Sequence, residues 1–184
     1  FPKLVTVIDL HQLADPRGLV DAWQQVYLPT LKKVRRGMMT TLHKVILDTN
    51  TGSLLLFSEF IDDPKFGAQL AEVDLHVDGA LSLGFLITRQ VALLHENGMA
   101  HNNVHPGALL FKAAVETHMA QPAMIGLVEP SLSFEAMIND TRAIAAMVLS
   151  WLRPARILQL NARTRPHFDA LRGRLAEVES APAD

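Results

Sequence analysis

The segment from His101 to Phe111 concentrates the side chains that could do chemistry in this chain. It reads His-Asn-Asn-Val-His-Pro-Gly-Ala-Leu-Leu-Phe, which places His101 and His105 four positions apart. On one helix, that spacing would suit a zinc ion, provided that a third ligand were fixed nearby. Pro106 and Gly107 indicate a loop instead, so we expect no metal here. A lone histidine is more often a buried structural residue, which is the alternative interpretation of His101.

The same segment resembles the catalytic loop of the protein-kinase-like superfamily. Protein kinases carry H-R-D-x-x-x-x-N-x-L, and aminoglycoside and choline phosphotransferases carry H-G-D-x-H-P-G-N-x-L-F. In both patterns the third residue is an Asp that handles the proton of the acceptor hydroxyl, and the eighth is an Asn that holds magnesium. Here these positions are Asn103, whose amide cannot take a proton, and Ala108. The resemblance implies a degenerate site in which His101 and Pro106 serve only to shape the loop.

Further segments agree with this resemblance in their order and spacing. Residues 54–61 resemble the fifth kinase strand as it enters the hinge, and residues 93–101 resemble the approach L-H-x-x-G-x-x-H to the catalytic loop. Residues 128–131 fall where the D-F-G motif should stand. Asp140 resembles the helix Asp that supports the catalytic loop in that family. The resemblance covers roughly residues 4–152.

Other parts of the phosphoryl-transfer machinery are missing. Catalysis of this reaction depends on cations and donors placed around a triphosphate, so each missing part removes transition-state stabilisation. The first glycine is Gly18, the strand position of the V-A-I-K lysine holds Ile8 or Asp9, and the first glutamate is Glu59. The second metal ligand is at best Glu129. We therefore predict a pseudoenzyme without catalytic residues, metal or cofactor.

The elements that position this loop can be predicted from the chain that precedes it. Residues 3–10 are rich in β-branched side chains and predict a strand. Asp15 before a proline predicts the start of a helix over residues 16–36. Pro29 lies inside that helix, where proline removes a donor and clashes with the preceding turn, so we expect a kink or a break.

A hairpin and a buried helix follow in the sequence. Residues 42–47 and 53–61 are apolar runs joined by a turn-forming segment, which predicts an antiparallel hairpin. Residues 62–67 break regular structure and predict a hinge. Residues 79–97 carry apolar groups on nearly every side, and a helix of that kind is normally buried.

Three shorter elements complete the predicted order. Residues 109–111 and 123–128 predict two short strands. A largely apolar helix is expected over residues 141–152, with Asn139 or Asp140 as its cap.

Together these elements predict an α+β, protein-kinase-like fold. We expect a single domain over residues 1–184, closed by an amphipathic helix near residues 168–178. Residues 1–61 would form a reduced N-lobe of strand, helix and hairpin. Residues 62–184 would form a truncated, mostly helical C-lobe.

Composition narrows the classes of partner. With 49% hydrophobic and 20% charged residues and a net charge of −2, the chain is typical of a globular domain and lacks the basic patch of a nucleic-acid binder. The absence of cysteine excludes disulfides and is compatible with the cytoplasm, where we expect the protein. Apolar runs such as residues 81–87 are shorter than the roughly 20 residues of a bilayer span, so we expect no membrane insertion.

Three functions are consistent with the sequence. The first is a catalytically inactive kinase-like module that binds protein partners as a scaffold or regulator, motivated by a retained apolar frame and lost catalytic groups. The second is a divergent small-molecule phosphotransferase, motivated by the His105-Pro106-Gly107 match. The third is an unrelated α+β assembly or binding domain in which the loop match is accidental.

Overall fold

The computed structural model describes residues 3–34, 41–60, 65–66, 77–112, 121–124, 130–152, 160 and 162–181. The elements in chain order are β1 (Lys3–Asp9), α1 (Pro16–Ala22), a π-helical turn (Trp23–Tyr27), α2 (Leu28–Val34), β2 (Leu42–Asp48), β3 (Ser53–Glu59), β4 (Lys65–Phe66), α3 (Val77–Glu96), β5 (Leu109–Lys112), β6 (Gln121–Met124), α4 (Phe134–Trp151) and α5 (Arg165–Ser180).

The first three strands form an antiparallel sheet in the order β1-β3-β2. The predicted strand and hairpin are therefore confirmed. The hairpin turn is closed by Asp48, which accepts hydrogen bonds from the Asn50 amide at 3.0 Å and the Thr51 hydroxyl at 2.9 Å. Gly52 completes the turn at φ +63°, a conformation that glycine adopts without steric cost.

The two faces of this sheet differ in burial. Even-numbered residues of β3, including Leu54 and Leu56, are buried, whereas Leu55 and Phe57 on the other face are half-buried. The pairing of β1 with β3 places Ile8 opposite Leu54 and Val7 opposite Leu55. Because side chains alternate along a strand, the even-numbered residues of β1 share the buried inner face. The inner face packs against the helical segment of residues 16–34.

That helical segment begins as predicted, with Asp15 accepting a hydrogen bond from the Gly18 amide at 2.9 Å. The helix does not break at Pro29, because the helical conformation continues from Pro16 to Val34. Instead, the helix widens into a π-helical turn at Trp23–Tyr27, and the Leu28 amide donates to the Trp23 carbonyl. A widened turn immediately before a proline accommodates its ring and its missing donor without ending the helix. Residues 35–40 lie outside the described part of the chain.

The helix predicted at residues 79–97 is confirmed by α3, but it is buried on one side only, since Phe85 is 65% exposed. It ends at Glu96. Gly98, in the turn that follows, has φ +73° and donates to the His95 carbonyl at 2.8 Å, while Met99 donates to the Leu94 carbonyl at 3.0 Å. These two bonds satisfy carbonyls that the helix end leaves open. Gly84 lets α3 approach α4 closely, because a Cβ there would lie 2.7 Å from Cγ2 of Val148.

Within the described residues, α3 is the one helix long and apolar enough to meet the length and composition of a membrane span. The expectation of no membrane insertion stays a prediction. Its buried residues include Ile87, Val91 and Leu94, each at most 1% exposed. This packing accounts for the apolar residues on one side of α3, whereas Phe85 of the same helix is exposed.

Helix α4 begins earlier than predicted. Ser133 occupies the N-cap position, and the helix runs from Phe134, so the expectation that Asn139 or Asp140 caps a helix starting at residue 141 is wrong. Both residues lie inside the helix. An Asp inside a helix ordinarily competes with the backbone for hydrogen bonds. The carboxylate of Asp140 instead has partners in the loop described below.

The remaining predictions, for the two short strands and the final helix, have mixed outcomes. Strands β5 and β6 pair antiparallel, with Leu109 opposite Met124, so β6 begins two residues earlier than predicted. Residues 125–128, the end of the predicted strand, lie outside the described part, as does most of the predicted hinge. The final helix is confirmed by α5, which buries Phe168.

Two clusters of buried side chains make up the core. One joins the sheet to the helical segment of residues 16–34, and the other joins α3, α4 and α5. The α+β architecture with a small sheet followed by a mostly helical part is therefore as predicted. Trp23 and Trp151, exposed by 0% and 2%, are central to these clusters.

Candidate functional site

The loop at residues 101–109 is anchored by one buried carboxylate. Asp140 of α4 is 2% exposed, and its Oδ2 accepts a hydrogen bond from the His101 amide at 2.6 Å while its Oδ1 accepts one from the Asn102 amide at 2.8 Å. His95, at the end of α3, places its Nε2 3.0 Å from Oδ2. Since a carboxylate only accepts, His95 donates this bond. One side chain therefore joins α3, α4 and the start of the loop.

The backbone at Asn102 makes this double contact possible. Asn102 has φ +58°, the left-handed conformation, which asparagine tolerates better than most residues. A change of backbone conformation between successive residues lets their amides converge on one anion. The two amides here converge on Asp140.

His101 is fully buried and has a structural role in this geometry. Its Nδ1 accepts a hydrogen bond from the Asn103 amide at 3.3 Å, which leaves the proton of a neutral ring on Nε2. Burial lowers the pKa of His101 to about 4, and repulsion from His105 adds to the shift while Asp140 opposes it. The ring is therefore neutral near pH 7 and supports the turn of the loop.

The two positions that would carry chemistry hold unreactive side chains. Asn103 is half-buried and presents an amide, which neither takes a proton nor carries charge. Ala108 is 4% exposed and ends a short 3-10 turn that begins at Pro106. A methyl group packed at this position offers no ligand to a metal ion.

His105 differs from His101 in its burial. It is exposed, whereas His101 is buried. Within the described ranges, no group of three His, Cys, Asp or Glu side chains could hold a metal ion. The four-residue spacing of the two histidines therefore does not correspond to a ligand set on one helix.

Strand β1 contains the position, Ile8 or Asp9, at which the kinase resemblance would place a lysine. The residues of its inner face are Leu4, Thr6 and Ile8, and Ile8 packs into the cluster around Leu54. Asp9 accepts a hydrogen bond from the His11 amide at 2.9 Å, so it caps the short helical turn that follows β1. No cation is present on this face of the strand. Glu129, the remaining candidate for a metal ligand, lies outside the described residues.

Ser131 connects the far side of the predicted site to the loop. The amide of Ala100, directly before His101, donates to the Ser131 carbonyl at 2.7 Å, and the two residues form an isolated antiparallel bridge. The end of the segment at the D-F-G position therefore lies beside the start of the loop. This adjacency, the order of elements and the β1-β3-β2 sheet are the geometry to compare with known structures.

A solved structure matches the whole chain. The PknI kinase domain of Mycobacterium tuberculosis, solved as a cysteine-to-alanine mutant, aligns over 100% of this chain and 79% of its own length, with a TM-score of 0.69 and 16% sequence identity. The fold is protein-kinase-like. No protein-family model matches the chain, and no curated protein matches it.

The kinase-like fold brings together three of the predicted positions. His101 and Asn103 share one loop, and Asp140 of α4 anchors it. His95 is the residue at this site whose contact with Asp140 the sequence did not predict. Its place in the L-H-x-x-G-x-x-H segment was the available signal, but the spacing alone does not show that its ring reaches Asp140.

Proposed function

We propose that this chain is a catalytically inactive kinase-like domain that acts by binding protein partners as a scaffold or regulator. The observation that carries the proposal is the contrast within the loop at residues 101–109. Its anchor, from His101 to Asp140, is complete, whereas Asn103 and Ala108 occupy the positions of the proton acceptor and the metal ligand. Such a loop has the shape of a catalytic loop without groups that can polarise a phosphate or accept a proton.

The packing of the surrounding residues supports this proposal. Ala108 and the following Leu109 are 4% and 1% exposed, so the metal-ligand position belongs to the apolar core. The inner face of β1 presents Thr6 and Ile8 where a cation would be needed to hold phosphates. Restoring a single polar group would therefore not rebuild the charged surroundings on which phosphoryl transfer depends.

A nucleotide titration tests the inactive form of the domain. We expect no change in the thermal midpoint of unfolding when Mg²⁺ and ATP are added at millimolar concentration. A ligand at 100 times its dissociation constant would stabilise the native state by about 2.7 kcal/mol, which is readily detected. ATP without Mg²⁺, and Mg²⁺ alone, serve as controls for ionic effects. A clear stabilisation that requires both would contradict the proposal.

A transfer assay separates this function from a divergent phosphotransferase. Labelled ATP is incubated with the chain and a panel of small alcohols and amino alcohols, and we expect no labelled product. The variants Asn103→Asp and Ala108→Asn, alone and combined, are expected to remain inactive because the cations of the phosphate cradle are still missing. Product formation that Glu129→Ala abolishes would favour the phosphotransferase instead.

The third candidate, an unrelated α+β assembly domain, does not agree with the protein-kinase-like fold. Asp140 of α4 contacts the start of the loop at residues 101–109, and His95 of α3 contacts the same carboxylate. Binding of protein partners and a cytoplasmic location remain part of our proposal.

A further inference from the structure

Strand β1 is an edge of the first sheet and exposes apolar side chains on it. All seven of its residues pair with β3 in one register, and no other described strand pairs with β1. Val7 is 61% exposed, Val5 42% and Leu4 39%. An edge strand that is regular and apolar presents unpaired backbone groups to which another strand can add.

The opposite edge of the sheet, β2, is protected against such pairing. The register of β2 on β3 shifts between Leu42 and Lys44, which indicates a bulge, and Lys44 is exposed. Bulges and lysines are the devices by which natural sheets blunt their edges. Strand β1 pairs without a bulge, and the residues between Lys3 and Asp9 carry no charge.

The sequence of β1 is complementary to itself in the antiparallel direction. When two copies of Lys-Leu-Val-Thr-Val-Ile-Asp are paired about Thr6, Lys3 lies opposite Asp9, Leu4 opposite Ile8 and Val5 opposite Val7. This register uses every residue of the strand and pairs both charged ends with opposite charges. Opposite charges and β-branched pairs are the cross-strand neighbours that stabilise antiparallel sheets.

The backbone also permits this register. In an antiparallel ladder, alternate residues direct their amide and carbonyl groups to one side. Since each pair in the Thr6-centred register joins two odd-numbered or two even-numbered residues, outward-directed groups of one strand meet outward-directed groups of the other. Shifting the pairing by one residue would match outward-directed groups with inward-directed ones.

We propose that β1 pairs antiparallel with β1 of a second copy of this chain, about a twofold axis at Thr6, and joins two sheets into one of six strands. The interface is isologous, because the same residues contribute from both copies. Val5 and Val7 would extend the outer apolar face formed with Leu55 and Phe57 across the axis. This inference does not depend on whether the domain is catalytically inactive.

Sedimentation equilibrium of the chain with charge variants tests the proposed dimer. We expect a reversible dimer at micromolar to submillimolar concentration, since one strand pair buries less surface than most stable interfaces. Lys3→Glu would place two carboxylates opposite each other, and Asp9→Lys would place two ammonium groups opposite each other. Each variant alone should raise the dissociation constant by about tenfold at low salt.

An equimolar mixture of these two variants is the decisive sample. In the mixed dimer, Glu at position 3 meets Lys at position 9, and Asp9 of one copy meets Lys3 of the other, so association should return to the level of the unmodified chain. Lys44→Glu on β2 is the matched control and should leave the dissociation constant unchanged. A monomer at concentrations up to roughly 0.5 mM would overturn the proposal. A dimer that is insensitive to these exchanges would also overturn it.

Cysteine cross-linking tests the register, even if Asp9→Lys fails to fold because the bond to the His11 amide is lost. The chain has no cysteine, so a single one introduced at Thr6 can form a disulfide only between copies. We expect oxidation to cross-link Thr6→Cys efficiently, but not Thr49→Cys in the hairpin turn. Efficient cross-linking of Val5→Cys or Val7→Cys, without Thr6→Cys, would show a slipped register and would contradict the proposed pairing.

Discussion

Within the loop at residues 101–109, the base differs from the positions of Asn103 and Ala108 in its polar contacts. At its base, three polar groups from α3 and the loop backbone converge on the carboxylate of Asp140, within 2.6 to 3.0 Å. Further along the loop, Asn103 and Ala108 carry no charge. The comparison teaches that the polar contacts that hold this loop are concentrated at its base, on one carboxylate.

The largest expected effect is at the base. Asp140→Ala would leave the amides of His101 and Asn102 without their acceptor in a buried site, and His95 without its partner. We expect the free energy of unfolding to fall by about 3 to 5 kcal/mol, the range typical for removing one member of a buried charged network. Urea denaturation followed by circular dichroism measures this loss.

Asp169→Ala on α5 is the matched control for that substitution. Asp169 is 57% exposed, and its Oδ2 lies 4.0 Å from Nε of Arg165, which is also exposed. Exposed pairs of this kind contribute about 0 to 1 kcal/mol. A loss at Asp140 no larger than the loss at Asp169 would contradict the structural importance of the loop base.

The second-largest effect is the pH dependence of the free energy of unfolding, which we attribute to the protonation of His101. Its pKa is about 4 in the folded chain and about 6.5 when unfolded, because burial disfavours the imidazolium. The unfolded state therefore binds the proton first as pH falls, so stability from the neutral ring is complete above pH 6.5. It is lost progressively between pH 6.5 and 4, by about 3 kcal/mol.

Urea midpoints measured across this pH range test the role of His101. The loss between pH 6.5 and 4 should become smaller in His101→Gln, which keeps an acceptor for the Asn103 amide but cannot titrate. His167→Gln changes an exposed histidine of α5 and should leave the pH dependence as it is in the unmodified chain. An unchanged slope in His101→Gln would show that other groups carry the effect.

A smaller effect is expected where α3 packs against α4, which bring His95 and Asp140 together. A Cβ at position 84 would lie 2.7 Å from Cγ2 of Val148, whereas nothing lies within 4 Å of a Cβ at Gly173 in α5. Gly84→Ala should therefore destabilise the chain by about 1 to 2 kcal/mol through overpacking. Gly173→Ala should stabilise it by up to about 1 kcal/mol, because alanine favours a helix. Thermal unfolding of both variants measures the opposite signs.

The smallest effect is expected at Asn103. Asn103→Asp changes a half-buried side chain that makes no hydrogen bond within the part of the chain that the structure describes. The free energy of unfolding should therefore change by no more than about 0.5 kcal/mol. The same urea titration used for Asp140 measures it. A cost comparable with that of Asp140→Ala would remove the distinction between the base of the loop and Asn103.

Much of the fold could be predicted from local patterns. The strand at residues 3–10, the hairpin and the apolar helix near residues 79–97 have clear periodicity and turn signals, and each corresponds to an observed element. The start of α4 was predicted wrongly because Asn139 and Asp140 are typical cap residues. Asp140 lies inside the helix, and its hydrogen-bond partners are about 40 positions away in the sequence. Local patterns do not reveal such distant contacts.

The candidate site could be predicted in part. The resemblance identified the residues of the loop and Asp140, but the contact of His95 with Asp140 depends on how two helices pack. The π-helical turn before Pro29 was likewise beyond a local rule, since a proline can be accommodated by widening the helix as well as by breaking it. In both cases the outcome depends on neighbours that only the folded chain supplies.

The position of α3 has a consequence for how this protein unfolds. Leu94 and the adjoining Met99 belong to the cluster of the first sheet, whereas Val77, Ile87 and Val91 of the same helix belong to the cluster with α4. Loss of packing in either cluster would remove contacts from α3, on which the other cluster also depends. We expect hydrogen exchange of the most protected amides in β3 and in α4 to report one shared opening free energy, with both halves behaving as a single cooperative unit.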